Sequence, residues 1–235
     1  MIGPWTVTYH TNAVKVVALE ESPTSADRLG SLTVRNGSRR PITMLYLRAA
    51  NTEARVPFFP AVFEPGETKT LSIGLATTDH NLHIVAALFG DGEAAGDGDP
   101  AVVQGMRFWR VGYWLESVNC LSQALSLDHA DLNDTSLDAW ITSVSRTNVQ
   151  PLEDVLRLFP GSPVKLKVQG ANVGAKADFL VGVRQAADAC RFFAQQLFEQ
   201  PESSRSNALS AWQTAWQEGL VLQQKVVGID MGVAE

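Results

Sequence analysis

The hydrophobic rhythm of this chain changes once. Up to about residue 89, large apolar side chains recur every second residue. From about residue 100 they recur every third or fourth. The first spacing marks strands with one buried face, the second marks helices. Trp5-Thr-Val7-Thr-Tyr9 alternates, and Lys15 to Leu19 continues or pairs with it. Leu32-Thr-Val34-Arg35 is a further short strand, ended by the turn residues Asn36-Gly37-Ser38, of which Asn and Gly tolerate positive φ. Pro41 opens the strand Ile42 to Arg48, a position where its missing N–H costs nothing. Val56 to Phe63 is apolar but carries Pro57 and Pro60, which predicts an edge strand or an irregular crossing. Glu64-Pro65-Gly66-Glu67 fits a type II turn, and Lys69 to Ile73 alternates again. Leu82 to Phe89 is the most apolar run and predicts a central strand covered on both faces. Short strands separated by turns, with no helical stretch between them, predict an antiparallel sandwich.

Residues 90–100 read as a loop. Asp99 then suits an N-cap and Pro100 the first helical position. The helix runs to about Leu127 with an apolar stripe through Val103, Met106, Tyr113, Leu121 and Leu125. Gly105 and Gly112 each weaken it by about 1 kcal/mol relative to Ala. A second helix starts near Thr135. A short one spans Leu152 to Phe159, and Val164 to Val168 reads as an isolated extended piece. Two long helices follow, from about Ala175 to Glu199 and from about Ser203 to Val227. Gln200-Pro201-Glu202 joins them, which predicts an antiparallel helical hairpin. The expected class is therefore α+β: an immunoglobulin-like β-sandwich domain over 1–98 and an α-helical region over 99–235.

Composition narrows the function classes. The 235 residues are 45% hydrophobic with formal net charge −6, an ordinary globular balance. The acidity and the absence of a basic run argue against a nucleic-acid partner; Arg39-Arg40 and Lys165-x-Lys167 read as solvated surface. No segment approaches the roughly 18 consecutive apolar residues of a membrane span, so a soluble chain without a membrane partner is expected. Met-Ile-Gly-Pro-Trp at the start has neither a basic nor an apolar signal region. As it stands this suggests a cytoplasmic protein, or a periplasmic or extracellular one if a leader has been removed. Cys120 and Cys190 fit no zinc or redox spacing. Buried free thiols are expected, with a disulfide between packed helices as the alternative.

Several polar clusters qualify as candidate chemistry. Asp91, Glu93, Asp97 and Asp99 place four carboxylates among three glycines within nine residues, a composition that can wrap oxygen ligands around Ca²⁺, although the spacing is not that of an EF-hand. Asp79, His80 and His83 form a second cluster, but residues three apart on a strand face opposite ways. Asp128, His129, Asp131 and Asp134 lie between helices, where capping explains them equally well. Arg107, Arg110 and Trp114 share a helix face. There a guanidinium is expected to pair with Asp91 or Asp97, or to hold a ligand carboxylate. Trp212 and Trp216, one turn apart, suit core packing or, if outward, a partner hot spot. The nucleophile elbow, P-loop, dinucleotide fingerprint and zinc-protease motif are all missing from the sequence. Asn36 and Asn133 fit the glycosylation sequon, but turn and capping chemistry accounts for both.

Ser31-Leu-Thr-Val-Arg-Asn36-Gly-Ser-Arg-Arg-Pro41-Ile42, Phe63-Glu-Pro-Gly66-Glu-Thr and Leu88-Phe-Gly-Asp91-Gly92 with Gly96-Asp97 resemble the sandwich portion of uncharacterised exported or envelope proteins of soil bacteria. The resemblance covers about residues 29–115. It implies an immunoglobulin-like sandwich leading into helices and is compatible with a removed leader; it assigns no catalytic residues. The expected function is a non-enzymatic binding or scaffolding module acting on a protein partner or on itself. The alternative is a metal-dependent hydrolase at the sandwich–helix junction, using Asp91, Glu93, Asp97 and His83.

Overall fold

A computed structural model describes residues 5–22, 25–50, 52–76, 80–97, 100–130, 132–145 and 173–227. It is an α+β chain that divides into two compact units, Met1–Met106 and Arg107–Glu235.

The first unit carries strands β1 (Thr6–Tyr9), β2 (Val14–Ser22), β3 (Ser25–Asn36), β4 (Ile42–Ala49), β5 (Thr52–Pro57), β6 (Thr68–Ala76), β7 (Asn81–Phe89) and β8 (Ala94–Gly96). One sheet has the order β1-β7-β4-β5, with β8 also on β7; the other has the order β2-β3-β6. Alternation explains the shared core. Leu29, Leu32 and Val34 from β3, and Ile73 and Leu75 from β6, join Leu45, Leu47, Leu82, Ile84 and Phe89 of the larger sheet in one buried cluster. β4 and β7 are buried along nearly their whole length, which is why both read as continuous apolar runs.

Three features depart from the sequence reading. β1 pairs with β7 in parallel, so the sheets are not wholly antiparallel; the other five pairings are antiparallel. The parallel pair arises because residues 10–13 carry the chain away from β7 into β2, which belongs to the other sheet. The loop expected over 90–100 contains β8, which pairs Ala94 to Gly96 with Leu88 to Ala86. The third departure is the turn after β3, which is built by the Asn36 side chain rather than by positive φ. Its amide donates to the carbonyls of Arg40 at 2.9 Å and Phe63 at 2.8 Å. Its oxygen accepts from the Ser38 N–H and hydroxyl. The Glu64–Glu67 turn is as expected, closed by the Glu67 N–H on the Glu64 carbonyl with Gly66 at φ +79°.

Among the described residues there are four helices: α1 (Pro100–Leu125), α2 (Asp134–Ser145), α3 (Val173–Phe198) and α4 (Glu202–Val227). The expected stripe on α1 is replaced by burial almost all round between Gly105 and Leu121, because neighbours reach it from three sides. The Ser143 hydroxyl of α2 donates to Gln123 at 2.7 Å. Gln185 of α3 accepts from the Trp109 indole at 2.8 Å. From α4, the Trp216 indole donates to the Ser117 carbonyl at 3.0 Å and the Gln213 amide to the Ala124 carbonyl at 2.9 Å. Gly112 does not merely weaken α1. A Cβ there would sit 2.2 Å from the Phe179 carbonyl oxygen, and one at Gly182 would sit 2.0 Å from that of Trp109, so the two glycines let α1 and α3 cross backbone to backbone.

Asn133 caps α2 through the Ser136 N–H at 3.0 Å. Buried Arg205 closes the α3–α4 turn. It donates to the carbonyls of Leu197, Phe198, Gln200 and Leu132 and pairs with Asp134 at 2.9 Å. The pieces expected at 152–159 and 164–168 lie outside the described residues.

Candidate functional site

The crossing from β1 to β2 makes an open groove of about 540 Å³, lined by Tyr9 to Asn12 and Val14 to Val16. Its geometry follows from local hydrogen bonds. The His10 N–H donates to the Ile84 carbonyl at 3.0 Å, which extends the β1–β7 ladder by one residue. The Ala13 N–H donates to the Thr11 hydroxyl at 3.1 Å, and the Gly37 N–H to the Ala13 carbonyl at 2.9 Å. Tyr9 stands 47% exposed at the rim, its hydroxyl accepting the Val16 N–H at 3.1 Å.

Beside this groove, His10 Nε2 lies 3.1 Å from His83 Nδ1, with the rings 5.4 Å apart and tilted by 35°. The register that pairs Thr8 with His83 sets this meeting. His80 takes no part in it. It adopts φ +48° and packs edge-on against Trp5 at 5.4 Å. The two histidines read together from sequence therefore go to different partners: His83 lies on β7, whereas His80 precedes the strand with a left-handed backbone that turns its ring to Trp5. Residue spacing gave no hint of His10, because its partner lies 73 residues away across a strand pair.

The carboxylate loop is occupied by a cation of the protein itself. Arg40 pairs with Asp91 and, at 3.1 Å, with Glu93, and its guanidinium lies 4.2 Å above the Phe89 ring. Partial desolvation would raise the Asp91 carboxyl, but Arg40 and the Glu93 N–H together hold it below its ordinary range. The Asp91 hydrogen bond in turn raises the Arg40 guanidinium. The Asp97 N–H donates to the Val85 carbonyl. Asp99, Asp79 and Asp131 lie outside the described residues. Asp128 accepts the Ala130 N–H at 2.9 Å, and the His129 ring sits 3.4 Å from the Ser206 and Ser210 hydroxyls.

Arg107, Arg110 and Trp114 do not form one surface. Arg107 is exposed, whereas Arg110 is 1% exposed, and burial pushes its guanidinium down to about 9. Buried Trp114 donates its indole N–H to the Leu220 carbonyl at 3.2 Å. Trp212 stacks on Trp216 at 4.5 Å and on Phe193 at 4.7 Å, while Trp140 meets it edge-on at 5.8 Å. Both cysteines are buried thiols. Hydrogen bonding to Cys190 and burial push the Cys120 thiol far up. Among the described residues, no three His, Cys, Asp or Glu side chains converge on a metal position, and no helix is long and apolar enough to cross a membrane. Compared with known proteins, the chain matches no family model, no curated protein and no solved structure.

Proposed function

We propose that this protein is a non-enzymatic binding module acting through protein–protein interaction, with the groove between β1 and β2 as its docking surface. The observation that carries the reading is Tyr9: a large amphipathic ring, half exposed, with its hydroxyl tied to the β2 backbone at the rim of an open groove. Such a ring loses little entropy on docking, which is the property of an interface anchor. β2 is an edge strand, and Val17 on it is 53% exposed. An edge offers unpaired backbone groups to an extended segment of a partner. The commitment of Asp91 and Glu93 to Arg40 supports binding over metal-dependent hydrolysis, since Ca²⁺ or a catalytic ion would have to displace a guanidinium already in place.

The same proposal takes the sheet unit as an immunoglobulin-like sandwich of the kind found in exported bacterial proteins. Strand order β2-β3-β6 against β8-β7-β4-β5, with the chain passing between sheets after β1, β3, β5 and β6, supports a Greek-key arrangement. The three-residue link between α3 and α4, tied by Arg205, supports an antiparallel helical hairpin in the second unit. Tyr9→Ser is expected to weaken partner capture or self-association by at least about tenfold while the chain stays folded by circular dichroism, as a lost anchor should. Affinity capture and light scattering on the full chain test it. A strict monomer that captures nothing, or capture indifferent to Tyr9→Ser, would sink the reading.

A further inference from the structure

We propose that His10 and His83 form a two-imidazole site for a divalent transition-metal ion of the Zn²⁺ or Cu²⁺ class. The site does not depend on whether the neighbouring groove takes a protein partner. Their facing nitrogens, Nε2 and Nδ1, are 3.1 Å apart. Two nitrogens bound in adjacent positions around such an ion at its usual bond length lie about 2.9–3.4 Å from each other. The pair therefore stands at chelating separation before any ion arrives. Only one proton fits on the line between the two nitrogens. For a metal to take both, the ring that carries it shifts to its other tautomer, the proton leaving the facing nitrogen for the far ring nitrogen by way of solvent, so that both rings bind as neutral imidazoles. Imidazole is the ligand type that selects Zn²⁺, Cu²⁺ and Ni²⁺ over Ca²⁺ and Mg²⁺.

The backbone under both rings is fixed. Thr8 pairs with His83 in the β1–β7 ladder, and the His10 N–H is held by the Ile84 carbonyl. Thr8 Oγ1 to Asn81 Oδ1 at 3.1 Å ties the two strands again two residues earlier. Chelation thus requires ring rotation and no chain movement, which is the condition for affinity from a small donor set. Both rings are half-buried, and His10 lines the groove, so an ion has a path from solvent. Since no third His, Cys, Asp or Glu converges with them among the described residues, water completes the coordination shell. That predicts micromolar rather than structural-zinc affinity.

Titration calorimetry of the full chain with ZnCl₂ and with CuCl₂ tests the site. The expected result is one equivalent bound with a micromolar Kd. His10→Gln or His83→Gln weakens binding by at least about tenfold, a factor in the range seen when support for a metal ligand is removed. His80→Gln and His129→Gln, which alter the other two of the four histidines, leave it unchanged. Should the His10 or His83 variants misfold, electron paramagnetic resonance of the unaltered chain loaded with Cu²⁺ decides instead: coupling to two imidazole nitrogens supports the site. Oxygen-only coordination, no saturable uptake below about 1 mM, or binding that survives in His10→Gln/His83→Gln overturns it.

Discussion

Arg205 shows how much a single buried side chain can hold. The last turn of α3 leaves carbonyls without helical partners. Arg205 supplies N–H donors to Leu197, Phe198 and Gln200, reaches back to Leu132 ahead of α2, and meets the half-exposed Asp134 carboxylate. It joins three segments through one guanidinium. Arg205→Ala strands buried carbonyls and is expected to cost about 2–4 kcal/mol, read as a fall in the denaturation midpoint. Arg205→Lys should recover only part of this loss, because an ammonium cannot spread donors over four oxygens in a plane. The Arg40 pairs are different in kind. Their carboxylates are well exposed and screened, so they orient the β7–β8 turn without contributing much stability.

Among elements, α1 is the helix on which the second unit is organised. Its crossing with α3 leaves no room for a Cβ on either strand of contact. Gly112→Ala would add a methyl group with helix propensity in its favour, by about 1 kcal/mol. The clash with the Phe179 backbone is nonetheless expected to make it destabilising by about 1–3 kcal/mol, a sign reversal that chemical denaturation would detect. Period alone located β1, β2, β4, β6, β7 and the four described helices to within a few residues, because strand and helix impose spacing on whatever must be buried. It missed the first half of β3, which begins at Ser25 rather than Leu32, and put β5 at residues 56–63 where the strand is Thr52–Pro57. It could not show β8, whose Ala-Ala-Gly segment pairs by backbone and has no alternation to read. It mistook α1 for a one-sided helix, since a helix buried all round has no polar face to mark its orientation. Of the candidate site, Tyr9 and His83 were visible as strand residues, but their roles were not. The β1–β7 pairing brings His10 to His83, and strand pairing is a long-range property that local spacing does not encode.

On the scale of the whole molecule, the two units differ in the chromophores they carry. Trp5 belongs to the sheet unit; Trp109, Trp114, Trp140, Trp212 and Trp216 all lie in the helical one. Trp140, Trp212 and Trp216 form one continuous aromatic cluster with Phe193, and Trp109 stacks on Tyr113 at 5.1 Å. Intrinsic emission therefore works as a built-in gauge of a single half. A Trp5→Phe variant should keep nearly the whole fluorescence change on denaturation, while the difference in emission between the two proteins, which is that of Trp5, follows the sheet unit. Without any attached dye, the molecule thus lets an observer ask which half gives way first.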